Sequence, residues 1–416
     1  MEPKVTIAIN AARLAAKEIH KFSRRRDKIN VFEKGPTDFV TQVDSIAENI
    51  IIDTLKTSFP DHSFEGEESG RQGNKNADYH WIIDPLDGTT NFIHDFPFYS
   101  ISMKSKIKDF VLKNSIDKVH IHDIQIAKAA VAVCRKYNLK YILDLHENRH
   151  EIMKFYKHVN SFYGKVLISV KRWKKAEEKY VSKAEKVIVV TNQAKREIIE
   201  RCKISNDNVV VYPNTVRKSF YQNKDYDQEL KKKYSKNYVL LYVGNTSERR
   251  GLDTVLDSMT SLEKEVPEIK LIIIGKSSYD HKIKSKINKL KISNLVDFIG
   301  WQKEEDLYKY LLISDIGLSP LHRNQHHDTT YANKIFQYIS FNVPLLCSDS
   351  IAQADLVNKF KFGKIFKEKN VEDFISNLLL MIKNKELYSK LQNNCYDAIS
   401  KLNNSVVSKD LIKIYE

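Results

Sequence analysis

Short apolar runs separated by longer amphipathic ones constrain the fold of this 416-residue chain more than any other feature. "DKVHIHD" (Asp117 to Asp123), "KYILDLHEN" (Lys140 to Asn148), "AEKVIVVTN" and "NVVVYPNTV" (Asn208 to Val216) each read as a strand. A second series begins at Tyr238 with "YVLLYVGN" and continues through "IKLIIIGK", "VDFIGW", "DIGLSPL" and "VPLLCSD". Helical sequence lies between them. Strands separated by helices pair in parallel, and continuous Val, Ile and Leu runs mark strands buried on both faces. Two parallel α/β domains joined at "YPNTV" are expected, with ligands taken at the carboxyl ends of the strands.

Charge divides the chain differently. Of a net +15, residues 1–105 carry 13 Lys and Arg against 16 Asp and Glu, a net of −3; this leaves 55 basic and 37 acidic residues, +18, on the rest. The shift marks a change of unit near residue 105. A basic surface suits anionic partners such as nucleotide diphosphates or lipid headgroups. No nucleic-acid motif is present, so nucleic acid is not an expected partner. Cys134, Cys202, Cys347 and Cys395 are scattered and read as single reduced thiols. No apolar run is long enough to span a bilayer. The opening "MEPKVTIAINAARLAAKEIHKF" reads as an amphipathic helix with Val5, Ile9, Ala12, Ala16 and Ile19 on one stripe, not as a signal peptide. A cytoplasmic protein is expected. Peripheral contact at the inner face of a membrane is left open by "VKRWKKAEEKYVSKAEK" (Val170 to Lys186), which reads more readily as a solvated face.

The front of the chain carries a different chemistry. A helix "SIAENIIIDTLKTSF" is expected to bury Ile46, Ile50 and Leu55, followed by "EGEESG", a loop with three carboxylates. "HWIIDPLDGTTNF" then reads as a buried strand that sets Asp84 at its end, with Pro85 stiffening a turn that brings Asp87 back. Magnesium takes oxygen ligands, a few carboxylates plus substrate phosphate. Glu67, Asp84 and Asp87 with the Leu86 carbonyl could form such a site, and Gly88, Thr89 and Thr90 could turn backbone N–H groups to a phosphate. A metal-bound water would then attack phosphorus.

These stretches, with "KGPTDFVTQVD" (Lys34 to Asp44) before them, resemble the inositol monophosphatase family in order and spacing. The resemblance implies Mg2+ held by Glu67, Asp84, Leu86 and Asp87, with Asp44 as a further carboxylate. It implies that Thr89 helps activate the water and that Gly88, Thr89, Thr90 and Asn91 contact the substrate. It ends near Met103. The family's later half supplies a Trp-Asp pair whose aspartate binds a second metal, and here Trp81, Trp173 and Trp301 precede no Asp.

In "LLYVGNTSERRGLDTVLDSM" a strand ends at Gly244, a helix starts near Gly251, and Arg249 and Arg250 stand at that same end. A helix N-terminus with guanidinium groups suits a nucleotide diphosphate. Fixed positive charge would stabilise that diphosphate as a leaving group without a metal. Residues 110–400 resemble the family 4 glycosyltransferases in "VHIHD", "LDLHEN", "VIVVTNQAKREII", "VVVYPN", "VGNTSERRGLDTVLDSM", "VDFIGW" and "NKIFQYISFNVPLLCSD". The resemblance implies Arg250 as the diphosphate ligand, Gly275 and Lys276 near the phosphates, and the segment ending in Gly300 and Trp301 facing the base. It implies His146 as a cleft histidine, and Gly244, Asn245, Arg249, Asn333, Lys334 and Gln337 around the donor. Asn245 stands where many members have Arg, and Thr329 and Gln337 where many have glutamates. The family's opening strand, Gly-rich loop and further βα units should precede "VHIHD"; the phosphatase-like segment occupies that place.

The expected fold is α/β: a GT-B-like pair of Rossmann-type domains, the first incomplete (106–216), the second taking the nucleotide sugar (217–416), preceded by an α+β inositol-monophosphatase-like fragment (1–105). The expected function is transfer of a sugar from a nucleotide-sugar donor to a glycan or lipid-linked acceptor, retaining and metal-independent. The alternatives are a Mg2+-dependent inositol-phosphate phosphatase and a non-catalytic fusion. "NQHHDTTYANK" offers His326, His327 and Asp328, read as a polar donor-side loop rather than a zinc site.

Overall fold

The computed structural model describes residues 3–23, 31–35, 38–66, 68–74, 76–83, 100–156, 159, 169–222 and 224–415. The chain divides into two compact units, Met1–Tyr141 and Ile142–Glu416.

The first unit opens with the helix Pro3–Ser23, the antiparallel strands β1 (Val31–Gly35) and β2 (Asp38–Thr41), and the helix Gln42–Ser58. The two helices pack through Ala15 and Ile19 against Val43 and Ala47. The buried stripe of the first helix is Ala11, Ala15 and Ile19, with Ala12 only half-buried. It lies one position round from the expected stripe, because small residues at 11 and 15 let the helices approach closely. The side chains of Val5, Ile9 and Ala16 lie outside the described ones. In the second helix Leu55 is buried as expected, but Ile46 and Ile50 are half-buried. The helix is turned so that Asp44 and Glu48 face inward instead.

Strand β3 (Ser63–Gly66) pairs antiparallel with β4 (Gly70–Gly73) and parallel with β5 (His80–Ile83). "EGEESG" is therefore the turn of a hairpin rather than a free loop. A continuous helix, Ser100–Lys113, crosses residue 105, so no linker marks the change of charge. Strand β6 (Lys118–His122) and the helix Ile124–Lys136 complete the unit.

In the second unit β7 (Lys140–Leu145), β8 (Lys186–Val189) and β9 (Val209–Val211) pair in parallel. A six-stranded parallel sheet follows, in the order β12 (Val296–Gly300), β11 (Ile269–Ile274), β10 (Tyr238–Val243), β13 (Ile316–Ser319), β14 (Leu345–Ser348), β15 (Gly363–Phe366). β15 escaped the sequence reading: it is a four-residue edge strand beginning in Gly-Lys, without the long apolar run of its neighbours. Helices cover both faces. Leu252, Leu256 and Met259 pack on one, with Phe374 and Leu378; Ile335, Phe336 and Ile339 pack on the other, with Leu356 and Ala398. The C-terminal helix Asn404–Ile412 returns toward the smaller sheet: Asn403 bridges to Val216, and the Asn404 amide donates to the Tyr212 hydroxyl at 2.9 Å. No helix among the described residues is long and apolar enough to cross a membrane.

The chain runs outward from β10 to β12 and comes back to β13 beside β10, so the strand order reverses between these two. At the amino end of this pair the Asp315 carboxylate accepts the Val239 N–H at 2.7 Å. Burial raises its pKa to about 6, offset in part by that hydrogen bond. A carboxyl whose folded pKa is raised contributes stability that is full below the ordinary aspartate range and lost as pH rises through about 6. Asp315→Asn keeps an acceptor and removes the charge. It should therefore stabilise the protein at pH 8 by roughly 1–3 kcal/mol, and the gain should vanish at pH 4, as read from urea midpoints at both values.

Candidate active site

At the carboxyl end of the sheet the strand ladder opens. β10 and β13 pair only at Leu240 with Ile316 and Leu241 with Gly317. Beyond that the Tyr338 hydroxyl takes over, accepting the Val243 N–H at 3.0 Å and facing the Leu241 and Leu318 carbonyls at 3.0 and 3.2 Å. Its ring lies on Gly317, where a Cβ would come within 2.4 Å of the ring carbon Cγ. In open parallel sheets, the crevice at such a reversal is where ligands bind.

Three glycines follow the strands around this crevice. Gly244, Gly275 and Gly300 all have φ in the left-handed range. The Gly275 N–H donates to the Gly300 carbonyl at 2.9 Å, and a Cβ on Gly275 would meet the Gly244 carbonyl oxygen at 1.8 Å. Gly251, at φ 76°, caps the helix Leu252–Glu265 against the Pro320 carbonyl. Asn245 caps its own turn, its side-chain oxygen accepting the Ser247 N–H at 2.9 Å.

Into this frame the protein puts positive charge. Lys334 opens the helix Lys334–Ile339, is only 6% exposed, and reaches back to Gly244. Its Nζ has no hydrogen-bond partner and lies 3.5 Å above the centre of the Tyr242 ring. Burial, and then Arg250, hold its pKa well below the ordinary lysine range. Arg250 Nε and His326 Nδ1 are also buried without a partner. Arg249 stacks on Phe155 and donates to His327 Nε2 at 3.2 Å. His327 Nδ1 in turn donates to the His322 carbonyl at 2.7 Å. Burial, reinforced by the arginines, lowers His326 to about 3 and His327 to about 2, so both imidazoles are neutral. Burial and Arg250 bring Arg249 down to about 10.

Asp328 turns away from both histidines. It pairs with Arg323 at 3.2 Å and caps the helix Ile351–Phe360 through the Ile351 N–H. The three do not converge as metal ligands, in line with the polar-loop reading. Thr329 is spent on the Gln325 and His326 carbonyls.

The expected donor residues thus fall into two groups. Gly244, Gly275, Gly300, Arg249, Arg250 and Lys334 gather at the crevice. Asn333 and Gln337, four residues apart on one helix face, line a cavity of about 1040 Å³ with Trp301 and the connecting segment Tyr212–Phe220. Lys276 is exposed at the rim. His146 Nε2 lies 2.9 Å from the Asp144 carboxylate, an arrangement that orients the ring. Sequence reasoning placed His326 and His327 in a polar donor-side loop but missed Tyr242 and Tyr338. Nothing in local pattern separates a strand tyrosine such as Tyr242 from a ring that lies under an amine.

In the first unit, Glu67 and Asp84, Leu86, Asp87, Gly88, Thr89, Thr90 and Asn91 lie outside the described residues. β3 and β5 end level with each other at Gly66 and Ile83, the residues before Glu67 and Asp84. Glu48, 1% exposed, accepts the Glu68 and Ser69 N–H groups, both at 2.8 Å. Asp44 is buried on the same helix.

Comparison with known proteins finds three family matches along the chain. Residues 1–104 match the inositol monophosphatase family. Residues 63–220 match glycosyltransferase family 4, and residues 223–398 the glycosyl transferases group 1. The larger part of the chain therefore matches glycosyltransferase family models. The front is 46% identical over 108 residues to the Nus factor SuhB of Salmonella typhimurium and 45% to that of Escherichia coli K12, covering 26% of this chain. The chain spans about 40% of the length of these curated relatives. Among solved structures, Anabaena HepE in complex with UDP superposes with a TM-score of 0.62 at 12% identity, over 75% of this chain and 81% of that one. Sucrose-phosphate synthase from Thermosynechococcus elongatus gives 0.62 at 13%, over 85% and 84%. A Rickettsia africae glycosyltransferase gives 0.60 at 17%, over 81% and 84%. At such identities the likeness is one of fold, the GT-B arrangement, and the glycosyltransferase part is α/β with parallel sheets as expected.

Two outcomes follow from these side chains. Lys334→Met replaces an unpartnered buried amine by an apolar chain, and should raise the stability of the ligand-free protein by about 1–4 kcal/mol in thermal melts. Glu48→Ala strands two amides in the hairpin turn and should cost the first unit roughly 2–4 kcal/mol in urea unfolding.

Proposed function

We propose that the protein transfers a sugar from a nucleotide-sugar donor to a glycan or lipid-linked acceptor, with retention and without a catalytic metal. One observation carries this reading: three buried nitrogens without partners, on Lys334, Arg250 and His326, stand at a strand-order reversal. Such a cluster is costly unless an anion completes it. A diphosphate fits, since it brings several acceptor oxygens and at least two negative charges. Held there, it would be stabilised as a leaving group by fixed charge. The cavity beside it, with Trp301, Asn333 and Gln337, has the size for a nucleoside. HepE, of like fold, has been solved with UDP and with UDP-glucose, which makes these the first ligands to try. His146, held by Asp144, is assigned to the acceptor side. The exposed residues Lys171, Arg172, Lys174 and Lys175 are assigned to an anionic membrane surface that would carry a lipid-linked acceptor.

A second reading concerns the first unit alone. Glu68 and Ser69, the residues held by Glu48, follow Glu67 in sequence, and the inositol monophosphatase match spans the segment that contains Asp84 and Asp87. This supports Mg2+ and phosphate binding by Glu67, Asp84, Leu86 and Asp87. It does not supply the Trp-Asp pair of the family.

Arg250→Ala should weaken UDP binding about 10- to 100-fold in calorimetric titration, the range for losing a charged hydrogen bond, and should abolish sugar transfer. Asp84→Asn should leave both unchanged and remove any Mg2+-dependent phosphate release. Unaltered UDP binding by Arg250→Ala would refute the donor-site assignment.

A further inference from the structure

We propose that the donor site takes up one proton from solvent with each nucleotide, at the amine of Lys334. The inference deepens the donor-site reading above and rests on it.

The argument is geometric. Lys334 Nζ is buried and has no hydrogen-bond partner in the elements around it. From β10 comes the ring of Tyr242, whose own hydroxyl is occupied with the Asn245 carbonyl. From the turn after β10 comes Arg250, a like charge, while Arg249 is engaged with His327. From the helix Gln325–Thr329 come His326 and His327, both neutral, with Asp328 drawn off to Arg323. Its own helix adds Gln337, which is uncharged, and Tyr338, which is tied to the strands. Among the described residues, the one charge that acts on Lys334 is that of Arg250, and it repels.

An ammonium in this position has lost its water and gains only the face of one ring. Burial and repulsion outweigh that contact, so the empty site holds the free amine. A diphosphate reverses the balance. Its oxygens provide the missing acceptors and its charge offsets Arg250. The amine then gains a proton from the buffer and becomes the ammonium, with no bond broken in the ligand. Binding and protonation are therefore linked, and affinity falls with rising pH.

The test is isothermal titration of the full chain with UDP-glucose at pH 8, in two buffers of different ionisation enthalpy. The diphosphate of UDP-glucose has no proton to exchange in this range. GDP-mannose and ADP-glucose are run alongside, because the base is not fixed. The expected result is a buffer-dependent heat that shows proton uptake with the nucleotide, and affinity that falls as pH rises from 7 to 9, by at most about tenfold per pH unit. Lys334→Arg, with a permanent charge, should bind with the same heat in both buffers. The pH profile of the unaltered protein carries the test should that variant not fold. Nucleotide binding with no buffer dependence would overturn the inference and leave the donor site standing. Proton uptake that persists in Lys334→Arg would overturn its assignment to Lys334. No heat with any of the three nucleotides would overturn the donor-site reading itself, and this inference with it.

Discussion

A single hydroxyl holds the second unit open where it matters. Tyr338 stands where the ladder between β10 and β13 stops, and its oxygen serves groups on both strands. The strands can separate there without leaving backbone groups unpaired in the interior. Gly317 is the counterpart on the sheet, since any side chain would occupy the space of the Tyr338 ring. Four residues earlier on the same helix face, Lys334 is carried into the opening and against Gly244. The adjoining face carries Asn333 and Gln337 to the cavity. One six-residue helix thus splits the strands, delivers an amine and lines a pocket.

The crevice gathers basic side chains and buried nitrogens without partners. Two arginines and a lysine converge, and the nearby histidines are neutral and cannot compensate them. His327 works as a neutral prop, donating to a carbonyl on one side and accepting from Arg249 on the other. The cost falls on the folded state, and under the proposed function a bound anion would recover it. Stability surrendered at one place for binding at the same place is the usual mark of a functional site.

Much of this was legible in the sequence, for a physical reason. The buried strands are continuous apolar runs, and each ends in a glycine or polar residue, so β7 to β14 and the turns at Gly244, Gly275 and Gly300 could be read directly. β15 was not, because an edge strand needs fewer apolar residues. Helix faces were read one position off where alanines rather than large residues make the contact, and where Glu48 is turned inward by two amides. Pairings across long distances were invisible: Tyr338 with Gly317, and Lys334 with Tyr242, depend on which strands become neighbours. The split of the donor residues into a charged group and a cavity group also emerged only in three dimensions. The abrupt change of character near residue 105 was plain from charge alone, yet it falls within the unbroken helix Ser100–Lys113.

The central claim is that the unpartnered nitrogens of Lys334, Arg250 and His326 form a receptor for a nucleoside diphosphate. A crystal structure of the full chain with UDP tests it most directly. The account predicts diphosphate oxygens within hydrogen-bond reach of Lys334 Nζ and the Arg250 guanidinium, with the nucleoside in the cavity beside Trp301 and Gln337. UDP bound elsewhere, with those nitrogens still without partners, would contradict it.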